Sequence, residues 1–191
     1  MKLTSLKNMA KTRRIALLAG AFFAATAMLG GTALAASTVL IKPGSLTITT
    51  PTVSNFGDVT LDGAAHTTNA TVSTFNVIDA TGSGTGWKVI VQATQVTTGG
   101  TTPILLATSS LQLAAPTVAA AGTASAVPTI VSGPYIIDAG SAVKIASATA
   151  NTGMGTYQFT PPANALTLSI PASAYVGTYS STVTVSVVSG P

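Results

Sequence analysis

The chain has 191 residues, no cysteine, four Asp, no Glu and a formal net charge of +4. The missing cysteine excludes a disulfide framework and thiolate metal sites. The positive charge is carried by a short stretch: Lys2, Lys7, Lys11, Arg13 and Arg14 supply five of the eight basic residues. Past residue 35, Lys42, Lys88 and Lys144 stand against Asp58, Asp62, Asp79 and Asp138, a net charge of −1. That balance cannot neutralise a row of phosphates, so no nucleic-acid partner is expected.

The first 35 residues read as a secretory signal peptide. The basic cluster is followed by the uncharged apolar stretch Ile15–Leu29 and by the small-x-small box Ala33-Leu34-Ala35. Cleavage is expected after Ala35. The apolar stretch is shorter than the roughly 20 residues of a membrane span. Thr12-Arg13-Arg14 partly matches a twin-arginine signal, but Ala16 stands where Phe is usual, so general secretion is expected. The other end, Val187-Val188-Ser189-Gly190-Pro191, has no sorting motif, apolar helix or basic tail. Retention at a surface would then be non-covalent.

Residues 36–191 are long enough for one domain with a real core. They are rich in Thr, Ser, Val, Ala and Gly, which favour strands and turns. Ser37-Thr38-Val39-Leu40-Ile41 is either the domain's own first strand, the reading preferred here, or a segment that adds to a neighbour's sheet. Leu46-Thr47-Ile48 alternates after the Lys42-Pro43-Gly44 turn. Val72, Phe75 and Val77 line a run from Ala70 to Ile78. The turn-rich loop from Asp79 to Gly86 leads to the clearest strand: Trp87, Val89, Val91 and Ala93 share one face, and Lys88, Ile90, Gln92 and Thr94 the other.

Ala114–Pro128 shows no helical stripe, and a surface loop is predicted. Leu166, Leu168 and Ile170 alternate with Thr167 and Ser169. Tyr179, Ser181, Val183, Val185 and Val187 share a face in the last run. One polar and one apolar face per strand predicts an all-β antiparallel β-sandwich, immunoglobulin-like in general architecture, from two facing sheets.

Catalytic groups are scarce. A hydrolytic triad needs a His between a nucleophile and a carboxylate. The single His66, in Ala64-Ala65-His66-Thr67, reads as an exposed loop residue. Four scattered Asp offer no paired carboxylates for a glycosidase. Asp58 and Asp62 before Gly63 read as turn residues, without EF-hand spacing for calcium. Gly82-x-Gly84-x-Gly86 leads into a strand, so it lacks the helix N-terminus of a phosphate loop. It reads as a loop needing positive φ. No enzyme, metal or cofactor is expected.

The segment from Val77 through Asp79, Gly82, Gly84 and Gly86 to Trp87-Lys88-Val89 resembles the first signature of the WxL domain family, with Val89 in place of Leu. The stretch Tyr175-Val176-Gly177-Thr178-Tyr179 through Val185-Ser186-Val187 to Pro191 resembles the second, without its Trp. Asn55-Phe56-Gly57 resembles the family's beginning. The likeness spans about Leu46 to Pro191.

It implies a secreted Gram-positive protein held at the cell surface by non-covalent binding to peptidoglycan or another wall glycan. It also implies partnership with other WxL proteins and a membrane-anchored protein. The candidate wall-binding residues are then Trp87, Lys88 and Val89, with Tyr175, Tyr179, Val185 and Val187 in the second motif. Two readings of Trp87 stand side by side: a core side chain on the face of Val89 and Val91, or a ligand contact. Tyr175 and Tyr179 either stack on sugars or close a sheet edge. The alternative function is a structural subunit of an extracellular fibre or surface layer, assembled by strand addition.

Overall fold

Alternating hydroxyl-bearing and β-branched residues leave little choice but pleated sheet, and the regular structure is all strand. The computed structural model describes residues 37–191; the predicted leader, with Ala33 and Ala35, lies outside them. Twelve strands follow in order: β1 Leu46–Ile48, β2 His66–Ala70, β3 Phe75–Asp79, β4 Trp87–Ala93, β5 Leu111–Leu113, β6 Thr117–Ala120, β7 Thr129–Ile130, β8 Tyr135–Ile136, β9 Val143–Ala148, β10 Gly155–Thr160, β11 Leu166–Ile170 and β12 Val183–Ser189. Every strand pairing is antiparallel.

The predicted all-β antiparallel sandwich architecture is observed, with three four-stranded sheets rather than two. Their strand orders are β1-β3-β10-β6, β2-β11-β5-β8 and β12-β4-β9-β7. Residues Ile41–Pro191 form one compact unit. Its core is made by the inward rows of these strands. Trp87, Val89 and Val91 of β4, Tyr157 and Phe159 of β10, Val77 of β3, Leu166 of β11 and Ile145 of β9 are all essentially inaccessible to water. Phe75 and Phe159 stack with ring centroids 4.9 Å apart, and Trp87 tilts against both Tyr157 and Phe159 at 6.0 and 6.4 Å. Fully burying side chains of this size contributes roughly 1.5–3 kcal/mol each.

Four local expectations are corrected. The Ala114–Pro128 segment is not all loop: Thr117–Ala120 forms β6 and pairs with β10 at a sheet edge. The residues there are mostly exposed, so no apolar stripe announces the strand, which is held by its backbone ladder. Ser37–Ile41 is not a first strand, because the first strand begins at Leu46. The Ala70–Ile78 run divides, Ala70 ending β2 in one sheet and Phe75 opening β3 in another. His66 opens β2, and its Nε2 lies 2.7 Å from Asp62 Oδ1. It is therefore a paired strand residue rather than a free loop side chain.

Candidate functional site

The loop Asp79–Gly86 is organised by chemistry that its sequence repeats. Gly82, Gly84 and Gly86 all adopt positive φ, at 63°, 64° and 76°. The residues between them carry hydroxyls on one side. Thr81 Oγ1 donates to the buried Asp79 Oδ1 at 2.7 Å, and the Thr81 amide donates to the same oxygen at 3.0 Å. Hydroxyl contacts continue from Thr81 to Ser83 at 2.9 Å, from Ser83 to Thr85 at 3.1 Å, and from Thr85 to Ser189 in β12 at 3.4 Å. The Gly190 amide donates to the Gly86 carbonyl at 2.9 Å. A loop poor in apolar contacts is thus tied at one end to a carboxylate and at the other to the last strand.

The two segments singled out in the sequence lie about a hundred residues apart and are direct neighbours in space. β12 pairs with β4 over seven residues, Val187 opposite Val89 and Ser189 opposite Trp87. Trp87 and Val89 point into the core and are fully buried. The indole N–H donates to the Gly153 carbonyl at 2.8 Å. Of the triplet, Lys88 alone faces outward. In the second segment Val185 and Val187 pack half-buried against the core, and so does Tyr179. Tyr175 is 68% exposed, and its carbonyl accepts the Tyr179 hydroxyl at 3.0 Å.

A family model of the WxL domain, described as surface cell wall-binding, matches residues 40–191. The chain belongs to the WxL family. No curated protein and no solved structure matches it. In this WxL domain the two segments that resemble the family's signatures form one paired strand unit, with Val89 and Val187 opposite each other.

Several ionisable groups of the WxL domain are engaged structurally. Asp138 is 1% exposed. Its Oδ1 accepts the Ser109 amide, and its Oδ2 accepts the Ser110 amide, the Ser110 hydroxyl and the Leu111 amide, all within 2.9–3.1 Å. Asp62 sits on the surface, where the Ala64 amide and then His66 hold its carboxyl below the usual range. Burial pushes the Tyr135 hydroxyl up. It donates to the Ile145 carbonyl at 3.4 Å and more closely to that of Val131. Among the described residues, no group of three His, Cys, Asp or Glu side chains could hold a metal ion.

Two surface grooves stand out among the described residues. One, of about 260 Å³, is largely apolar and lined by Val53, Val72, Phe75, Leu113, Val183 and Val185, together with Pro51, Pro116 and Pro161. The other, of about 550 Å³, mixes the amides and hydroxyls of Gln92, Thr94, Gln95, Thr108, Thr182 and Thr184 with Asp138 and the small residues Ala93, Ala139 and Gly140. Neither the second groove nor Gly153 was apparent from sequence. Nothing local to Asn151-Thr152-Gly153 names Trp87 as the partner of the Gly153 carbonyl.

Proposed function

We propose that this protein is secreted and held non-covalently on the cell wall, with peptidoglycan as the polymer its domain binds. The observation that carries this reading is the WxL match over residues 40–191, a surface cell wall-binding family. The pairing of the two signature segments in one sheet supports it. The scarcity of acid–base groups in the sequence favours binding over hydrolysis. Other WxL-type surface proteins and a membrane-anchored partner are the protein partners we propose. Fractionation of the producing cells tests the attachment. The protein is expected in the wall fraction and is released by a denaturant without glycan cleavage. Recovery from the medium alone, or release only by a glycan hydrolase, contradicts it.

A second reading, a fibre or layer subunit built by strand addition, is favoured by one observation. Val39, Leu40 and Ile41 are consecutive, apolar and 80–85% exposed, and they belong to no strand. Such a segment suits the unpaired edge of a neighbour's sheet. Polymers in electron micrographs, abolished by deleting residues 36–41, support it. A monomer at high concentration contradicts it.

A further inference from the structure

Strand β4 turns Trp87, Val89 and Val91 into the core, so Lys88, Ile90 and Gln92 form a row on the outer face of its sheet. On one side β9 places Ser147 opposite Lys88 and Lys144 opposite Ile90. On the other, β12 places Ser186 opposite Ile90 and Thr184 opposite Gln92. The position of Lys144 depends on a bulge. From the pair Val89↔Ala146, an unbroken register would set Ile145 opposite Ile90 on the outside and turn Lys144 inward. The register shifts between Val89 and Ile90 instead. Ile145 is kept 1% exposed in the core, and Lys144 joins Lys88 on the outer face.

Two of the three lysines beyond the leader therefore share one face. Their Cα atoms are roughly 8 Å apart, the diagonal spacing of neighbouring strands. None of the four Asp residues lies on a strand of this sheet, although Asp138 borders the groove beyond Gln92. Asp58 and Asp62 precede β2, in a different sheet. Asp79 and Asp138 are buried and accept hydrogen bonds from their own surroundings. Among the described residues neither lysine pairs with an Asp side chain. Lys88 makes a long 3.4 Å bond to the Pro191 backbone oxygen. A domain of net charge −1 thus presents a locally cationic face. Past Gln92 that face runs into the second groove, where the amides of Gln92 and Gln95 and the hydroxyls of its threonines, beside the internally hydrogen-bonded Asp138, can both donate to and accept from sugar hydroxyls.

We infer that this outer face is the docking surface for peptidoglycan, with Lys88 and Lys144 pairing with carboxylates of its peptide stems and the adjoining groove taking sugar hydroxyls. The inference rests on the wall-binding reading and names the chemistry recognised. It also gives Lys88 a role distinct from those of Trp87 and Val89: the buried pair fixes the strand, and the residue between them meets the ligand.

The test is co-sedimentation of residues 36–191 with bare sacculi, comparing the unaltered protein, Lys88→Gln/Lys144→Gln and Lys42→Gln. The double variant is expected to bind roughly three- to tenfold more weakly, the range that two partly exposed ion pairs support. Lys42→Gln, altered elsewhere, is expected to bind normally. Binding of the unaltered protein should weaken as salt rises, and should fall likewise on sacculi whose carboxylates have been amidated. Matching thermal midpoints for the three proteins would show that folding is not the cause. Equal binding by the double variant on sacculi that the unaltered protein saturates overturns the face and leaves wall attachment standing. So does binding to unextracted walls that survives amidation but disappears when their phosphate polymers are removed. No binding by the unaltered protein overturns the wall reading itself.

Discussion

The Trp87 indole donates to the Gly153 carbonyl at 2.8 Å, and Gly153 is also the residue whose missing side chain makes room for that ring. A Cβ on Gly153 would stand 2.7 Å from the indole nitrogen and 2.3 Å from the Ala148 methyl, in a backbone with φ of 74°. Trp87 is thus locked from two directions, by tilted aromatic neighbours and by a turn from the β9–β10 connection. Trp87→Ala should cost roughly 3–5 kcal/mol, as a buried aromatic truncation does. Gly153→Ala should also destabilise clearly, since clash and left-handed backbone act together. Denaturant unfolding measures both. A midpoint unchanged in either variant would contradict this packing.

The glycines of the Asp79–Gly86 loop should divide by space rather than by φ. Gly82 and Gly86 both have positive φ, but a Cβ on Gly82 meets nothing, whereas one on Gly86 falls 2.3 Å from the Ala148 carbonyl oxygen. Gly82→Ala should cost about 1–2 kcal/mol from backbone strain alone. Gly86→Ala should cost more, because the β4 entrance must shift. Equal losses for the two would mean that the close approach does not restrain the loop.

Asp138 organises the approach to β5 by accepting three successive amides and a hydroxyl. Removing the carboxylate leaves buried N–H groups without partners, at about 1–3 kcal/mol for such a group. Asp138→Ala should therefore lower stability by at least about 2 kcal/mol. Hydrogen exchange at Ser110 and Leu111 should speed up in the variant. Unchanged protection at both amides would show that other acceptors hold them.

The strands most legible in the sequence were those with one buried face. Trp87 to Ala93 and Leu166 to Ile170 alternate because alternate residues enter the core. β9 was not legible, and the bulge is the reason. Ile145 and Ala146 are buried in succession, which breaks the period of two that betrays a strand. β2 was hidden differently. His-Thr-Thr-Asn-Ala buries only its last residue fully and depends on pairing with β11. At the site, the inward face of Trp87 could be read from its spacing with Val89 and Val91. The Gly153 acceptor, 66 residues away, and the shared face of Lys88 and Lys144 depend on tertiary register that no local pattern carries.

Alkaline pH should weaken the fold through Tyr135. Burial raises its pKa above the ordinary tyrosine value of 10.0. The unfolded chain therefore releases this proton more readily than the folded one. The contribution is fully present below about pH 10 and is lost as pH rises through the folded value. Tyr135→Phe should flatten this alkaline limb while losing the hydroxyl's bonds to Val131 and Ile145. A stability profile of the same slope in both proteins would place the alkaline sensitivity elsewhere.

We propose that the folded WxL domain is by itself sufficient to hold the wall. The most direct measurement is a binding isotherm of purified residues 36–191 on bare peptidoglycan sacculi. Saturable binding by a monodisperse, folded protein is the predicted result. No sedimentation with the sacculi, by protein shown to be folded under the same conditions, would contradict direct attachment.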